Sequence, residues 1–311
     1  MVPFFSARDV EAAVPPTVAY DAVREAFEAH IRGEWTMQPK LYVTNYPAGD
    51  FRAMPALGGG HALLKWVTSF PGNPERGLPT VSGLVVLSSA ATGVVEAILD
   101  AGAVTALRTG AAAVLAADVL GRSDAAGAAV VGAGINGKAA ARTFLARGRR
   151  VALWDVDRTR AEAAAEELGA DVAASPAEAL AADLLVTVTP GKELLLHEGS
   201  LQAGQHVSLM GADGPGKAEI AVTEIARSRI FCDEWEQASH GGELAAAVEA
   251  GAISREDVTE LGSVLIGAAA GRSSGEEITI FDSTGLAIQD LAIALAAMER
   301  ADELDLPTID L

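Results

Sequence analysis

The spacing of apolar positions changes character along the chain. Near the start, Val18, Val23, Phe27 and Ile31 recur at helical spacing, which predicts an amphipathic helix pair over residues 8–33. From Lys40 to Leu99 the period shortens. The runs "KLYVT", "HALLKWVTSF", "SGLVVLSS" and "GVVEAIL" read as strands, separated by Gly/Pro-rich turns such as "YPAGD" and "FPGNPERGLP". "VTALRTGAAAVLAADVL" (104–120) predicts an alanine-rich helix, and "GRSDAAG" after it a domain boundary. From Ala128 strand and helix alternate: "AAVVGAG", a helix over 137–147, "RVALWD", a helix over 158–168, "DV", and a helix over 176–181. "DLLVTVTP", "HVSLMGAD", "RIFCD" and "EITIFDST" continue as strands. Such alternation implies a parallel, doubly wound sheet, because a right-handed crossover lays each helix on a sheet face. The last segment, "GLAIQDLAIALAAMERADEL" (285–304), carries an apolar stripe and predicts a helix that returns to the first domain.

The expected fold class is therefore α/β: a Rossmann dinucleotide-binding domain plus a smaller α+β substrate and dimerisation domain. The expected bounds are 1–120 for the smaller domain, with the C-terminal helix over 286–311 packing back on it, and 121–285 for the Rossmann domain. The strands of residues 40–99 have apolar faces and no evident helical cover, which points to a sheet completed by a second chain.

Composition narrows the function by exclusion. At 311 residues the chain is long enough to bury two cores. A net charge of −19, from 42 acidic and 23 basic residues, speaks against nucleic acid and anionic membranes as partners. Cys232 is the single cysteine, so neither a disulfide framework nor a cysteine-based zinc site is expected. "MVPFFSARDVEAAV" lacks the basic start and long apolar run of a secretion signal, and no uncharged apolar stretch reaches the ~18 residues of a membrane span. The expectation is a soluble, cytoplasmic protein. The histidines share no metal-ligand spacing and no carboxylate cluster stands out, so no metal is expected. His240, in "EQASHGGEL", is the histidine nearest a candidate motif, and its plainer reading is a surface residue.

Two places carry chemistry. In "AAVVGAGINGKAAARTFL", Gly132, Gly134 and Gly137 follow an apolar strand and open a helix. The first glycine permits the tight turn, the second lets backbone approach a pyrophosphate, and the third lets helix and strand pack closely. Asp155 ends the next strand, "RVALWD", where a carboxylate accepts the ribose hydroxyls of NAD and repels the 2′-phosphate of NADP. Arg158 nearby is the contrary feature. The second place is a set of cations in apolar surroundings: Arg52 in "FRAMP", Lys65 in "LLKWV" and Arg108 in "TALRTGAA". Spacing alone is compatible with ordinary ion pairs whose heads stay in water. Lys65, however, sits among Leu63, Leu64, Trp66 and Val67, and Arg108 falls in the first turn of the helix predicted from Val104, where a cation opposes the dipole. Cations so placed call for an anion, and three converging on one carboxylate would make a substrate clamp.

A further stretch, "MGADGPGKAEI", sets Asp213 in a glycine-rich turn where it would repel a phosphate. With "FRAMPA", "LKWVTSFPGNPERGLPT", "TALRTGAA", "VVGAG", "GADGPGK", "GEL" and "FDSTGLAIQDLA" in that order, nearly the whole chain resembles the ornithine cyclodeaminase and mu-crystallin family. The resemblance implies a homodimer that uses bound NAD(P) to oxidise or reduce the carbon–nitrogen bond of a small amino or imino acid. It implies Asp213 as the acid/base, with Lys217 and Glu219 fastening its turn. Arg52, Lys65 and Arg108 become carboxylate ligands, and Lys65 a catalytic cation that polarises the reacting oxygen. The cofactor would be held by Gly132, Gly134, Ile135, Asn136, Gly137, Asp155, Thr109 and Thr189. In ornithine cyclodeaminases the position of Arg52 is acidic, so its arginine resembles the archaeal-type alanine dehydrogenases instead. Asn136 departs from the glutamine of many members. A cyclodeaminase, a ketimine or pyrroline-2-carboxylate reductase and a mu-crystallin-like binding protein stay open as alternatives.

Overall fold

The computed structural model describes residues 1–190, 193–212, 214 and 216–311. Its chain divides into two units, Met1–Arg108 with Leu286–Leu311, and Thr109–Gly285. The division falls inside one continuous helix and not at "GRSDAAG", where the sequence places it.

The first unit carries strands β1 (Val2–Phe5), β2 (Thr36–Met37), β3 (Leu41–Asn45), β4 (Gly49–Gly58), β5 (His61–Ser69), β6 (Val81–Ser89) and β7 (Val95–Asp100). Their order is β1-β7-β6-β5-β4-β2, with β3 also on β4 and a short C-terminal strand, Thr308–Ile309, outside β1. β4 to β7 are antiparallel neighbours, so side chains alternate between the faces. Met54 pairs with Lys65 and Lys65 with Val85, which sets Arg52, Met54, Leu63, Lys65 and Val67 on one buried face. The C-terminal helix Ala287–Met298 covers that face and packs on α2 (Pro16–Ile31), so one side of the sheet has the helical cover that the sequence did not reveal. The opposite face stays apolar and open: Leu41 and Val43 pair with Ala53 and Phe51, Ala53 with Trp66, and Trp66 with Leu84. Trp66 is 43% exposed.

Helix frames differ from expectation in three places. α1 (Ala7–Ala13) is capped by Ser6, whose hydroxyl accepts the Asp9 N–H, and α2 starts on Pro16, whose missing N–H costs nothing there. The buried stripe of α2 is Ala19, Tyr20, Val23, Ala26, Phe27 and Ala29, so Val23 and Phe27 face inward as expected while Val18 is 36% exposed. α3 (Ala101–Leu120) begins three residues earlier than predicted, since the Asp100 carboxylate accepts the Ala103 N–H at 2.8 Å and so caps it. Arg108 is therefore past the first turn and does not oppose the helix dipole at its start. α3 is apolar and long enough to match a membrane span, and 72% of that stretch is buried within the protein, as in a core helix. The final helix stops at Met298 rather than running to 304, because Arg300 turns back to donate to the Ala13 carbonyl and to pair with Glu303.

The second unit holds β8 (Ala128–Val131), β9 (Val151–Trp154), β10 (Asp171–Val172), β11 (Leu184–Thr187), β12 (His206–Leu209), β13 (Arg229–Cys232), β14 (Val258–Glu260) and β15 (Thr279–Asp282). All pair in parallel, in the order β10-β9-β8-β11-β12-β15-β13-β14. This is the doubly wound arrangement, with the chain reversing direction across the sheet between β8 and β11. β8, β11, β12 and β15 are buried throughout, as strands covered on both faces must be. Helix α4 (Ile135–Ala146) follows β8 and α5 (Arg158–Leu168) follows β9. A side chain on Gly110 would lie 2.6 Å from the Ala139 carbonyl, so this glycine lets α3 lie against α4. Because every strand points the same way, the segments after Val131, Trp154, Thr187, Leu209 and Asp282 all leave the same edge of the sheet. The candidate chemistry of this unit lies on that edge.

Candidate active site

The turn after β8 has the shape of a phosphate cradle. Gly132 has φ +106°, and a Cβ there would strike the Val188 carbonyl at 2.7 Å. A Cβ on Gly137 would sit 1.7 Å from the Gly132 carbonyl, so both positions tolerate only glycine. Around Gly134, the residue before α4, nothing lies within 4 Å of such a Cβ, which leaves its backbone open to a close ligand. Ile135 is exposed and Asn136 half-buried in the first turn of α4, where free N–H groups and the helix dipole suit an anion. The Asp155 carboxylate reinforces the turn by accepting the Ala133 N–H at 2.8 Å and the Asp157 N–H at 2.9 Å. The arginine beside it is Arg160, at 3.3 and 3.5 Å from its two oxygens, and not Arg158, which pairs with Glu162. These residues fit a dinucleotide.

Beyond β11 and β12, a buried carboxyl network holds the loops. Glu219 accepts hydrogen bonds from Thr187 Oγ1 and from the N–H and hydroxyl of Thr189, tying the segment after Asp213 to the end of β11. A Cβ on Gly211 would meet the Glu219 carboxylate at 2.4 Å, so glycine there admits the acid beneath the turn. Glu243, in "GEL", accepts the Glu219 N–H at 2.8 and 3.0 Å. Asp213 itself, like Pro215, lies outside the described residues. Thr109 is buried at the division between the units. The sequence reading found Glu219 as a fastener and missed Glu243, which had no spacing signal.

Burial, with Glu219 and Asp282 beside it, pushes the Glu243 carboxyl up to about 9. An acid with a raised folded pKa loses stability as pH climbs from the unfolded value near 4.5, because only the unfolded chain releases the proton. Glu243→Gln is therefore expected to flatten the fall of the melting temperature between pH 5 and 8, by the equivalent of ~1–4 kcal/mol. Melts of both proteins at the two pH values check this, and parallel slopes would show Glu243 ionised in the fold.

In the first unit the three cations come together with partners the sequence did not reveal. Arg52 donates to Asp50 at 2.6 and 3.2 Å and lies over the Tyr42 ring at 5.3 Å. Lys65, 1% exposed, donates to Asp290 Oδ1 at 2.9 Å. Arg108 Nε lies 3.6 Å from the same oxygen, and Arg108 also reaches the Gln289 side-chain oxygen at 3.5 Å. Burial pulls the Lys65 pKa down to about 8; Asp290 opposes that fall, while Arg108 and Arg52 add to it. The described partners of the three cations thus include two buried carboxylates, Asp50 and Asp290. Asp290 and Gln289 were hidden in the apolar stripe of "GLAIQDLAIAL", and Asp50 in a turn.

The chain as a whole matches known proteins. The model of the ornithine cyclodeaminase/mu-crystallin family matches residues 3–305. The alanine dehydrogenase of Archaeoglobus fulgidus is 42% identical over 302 residues, 94% of this chain and 93% of that protein. A solved archaeal alanine dehydrogenase dimer with bound NAD superposes with a TM-score of 0.93 at 39% identity, covering 100% of this chain and 99% of that one. The iminosuccinate reductase of Paracoccus denitrificans, solved with NAD+, gives 0.90 at 27% identity, with the same two coverages. The fold, the cradle and the relatives agree on an NAD-dependent, amino-acid-related oxidoreductase framework. The chain belongs to the ornithine cyclodeaminase/mu-crystallin family.

Proposed function

We propose that this protein is an NAD-dependent L-amino-acid dehydrogenase with L-alanine as its substrate. It converts L-alanine, NAD+ and water to pyruvate, ammonium, NADH and a proton. The observation that carries the reading is the gathering of Arg52, Lys65 and Arg108 in one buried place, which suits one small carboxylate. The similarity to an alanine dehydrogenase over 94% of the chain supports the choice of amino acid, and an arginine rather than an acid at position 52 suits a substrate without a distal amine.

Gly132, Gly134, Ile135, Asn136 and Gly137 hold the cofactor's pyrophosphate, Asp155 its ribose, and Thr109 and Thr189 line the rest of its site. NAD, when bound, supplies the hydride acceptor. Arg52 and Arg108 orient the substrate carboxylate, Lys65 polarises the oxygen on the reacting carbon, and Asp213 takes the proton from the ammonium and from the water that adds. A screen of amino acids with NAD, reading absorbance at 340 nm together with ammonium, tests the reading. Free NADH with ammonium from L-alanine is the expected result. Ammonium without net NADH indicates a cyclodeaminase, and neither product a binding protein; both overturn the assignment.

Two further outcomes follow. NAD is expected to bind about tenfold or more tighter than NADP, because Asp155 repels a 2′-phosphate. Titration of the apo protein checks this, and Asp155→Ser should narrow the gap by freeing Arg160. The open apolar face of Leu41, Val43, Trp66 and Leu84 would be the homodimer contact. Trp66→Lys is then expected to turn a dimer into a monomer in sedimentation at micromolar concentration, and a wild-type monomer would overturn the assembly.

A further inference from the structure

The cation cluster has a feature that stability alone does not explain. Asp290 is 0% exposed and uses one oxygen, Oδ1, for both Lys65 at 2.9 Å and Arg108 at 3.6 Å. Three elements thus meet at one atom: β5, α3 and the C-terminal helix. Asp290 Oδ2, Arg108 Nε and the Gln289 side-chain nitrogen are buried there without a hydrogen-bond partner among the described residues. Replacing a buried ion pair by apolar residues is often neutral or stabilising, and unpartnered buried polar atoms are costly. A carboxylate kept in such a place serves something other than packing.

We propose that Asp290 is a positioning residue, which holds Lys65 as an ammonium beside Arg108, where the two cations can grip one substrate carboxylate. The inference rests on the reading of Arg52, Lys65 and Arg108 as the carboxylate clamp. Among the described residues, the charged groups facing Lys65 are Asp290 from the C-terminal helix, Arg108 from α3, and Arg52 from β4, itself paired with Asp50. Of these, only Asp290 directly favours the protonated amine. Without it the two arginines and burial would act on Lys65 unopposed, and the amine would be neutral under conditions in which the clamp needs its charge.

The chain has five lysines, at 40, 65, 138, 192 and 217, so carbon-13 lysine labelling gives few enough ε-carbon signals to follow each against pH, with Lys65 identified by its loss in Lys65→Met. Wild type should show a Lys65 step near pH 8. In Asp290→Asn that step should fall by about one pH unit or more. The affinity of the NADH-loaded enzyme for pyruvate, read by fluorescence, should drop with rising pH at the same midpoint and move with it. A folded Asp290→Asn protein whose Lys65 step does not move overturns the proposal. If the step moves and pyruvate affinity does not follow, Asp290 still holds Lys65, and it is the clamp reading that fails. Should Asp290→Asn not fold, the pair Lys65→Met with Asp290→Asn decides. Recovered folding shows the loss came from an uncompensated Lys65 charge, whereas a double variant that also fails to fold places the role of Asp290 elsewhere and overturns the proposal.

Discussion

Asp213→Asn is expected to lower kcat by roughly 10²–10⁴-fold, the range by which a positioned acid/base contributes, and to leave NAD affinity nearly unchanged. Asparagine keeps the size of the side chain and most of its hydrogen bonds but cannot take a proton. The described residues on either side of Asp213 are held by contacts of their own. Ala212, just before it, is fully buried, and Glu219, after it, is anchored by Thr187 and Thr189 on one side and through its N–H by Glu243 on the other. The rival view is that Asp213 only shapes the turn; asparagine is a good turn residue and would then be tolerated. Steady-state kinetics across the pH range separate the two, and a variant with more than about a tenth of wild-type kcat would remove the acid/base from the mechanism.

What the sequence made legible was what has a local period or a local constraint. The glycines at 132 and 137 could be placed because a turn that tight leaves no room for a Cβ, and the structure has carbonyls 2.7 and 1.7 Å from where one would be. The helix over 158–168 was read to the residue, since Asp157 caps it and Gly169 ends it in the left-handed conformation. Long-range partners had no such signal. Lys65 looked anomalous within its strand, yet its counter-ion lies 225 positions away on a helix whose apolar stripe conceals it. The place of β15 between β12 and β13, reached only after β14, was equally unreadable, because strand order depends on crossovers rather than on composition. Glu243 follows the same rule: its partners, Glu219 and Asp282, lie on other loops and strands, and only the fold makes three acids neighbours.

Between the two arginines of the proposed clamp, Arg108→Leu is expected to be the more damaging, lowering kcat/KM by roughly 10²–10³-fold, against about tenfold for Arg52→Ala. The difference follows from what each guanidinium already holds. Arg52 is engaged by both oxygens of Asp50, at 2.6 and 3.2 Å, and stacks over Tyr42, so much of its charge is satisfied before a substrate arrives. Among the described residues, Arg108 has the 3.6 Å approach to Asp290 and a long 3.5 Å contact to Gln289, and its Nε is buried without a hydrogen-bond partner. A carboxylate ligand therefore gains more from Arg108, at about 1.5–3 kcal/mol for each charged hydrogen bond. Loss of an anchor that grips substrate and transition state alike raises KM, which is the expected signature of Arg52→Ala. Loss of Arg108 should lower kcat as well, because the same residue shares Asp290 with Lys65 and so helps to set where that ammonium stands. Kinetics of the two variants on L-alanine at saturating NAD check the order. If Arg52→Ala is the more severe, or if Arg108→Leu keeps wild-type KM and kcat, the substrate carboxylate does not bind at this cluster.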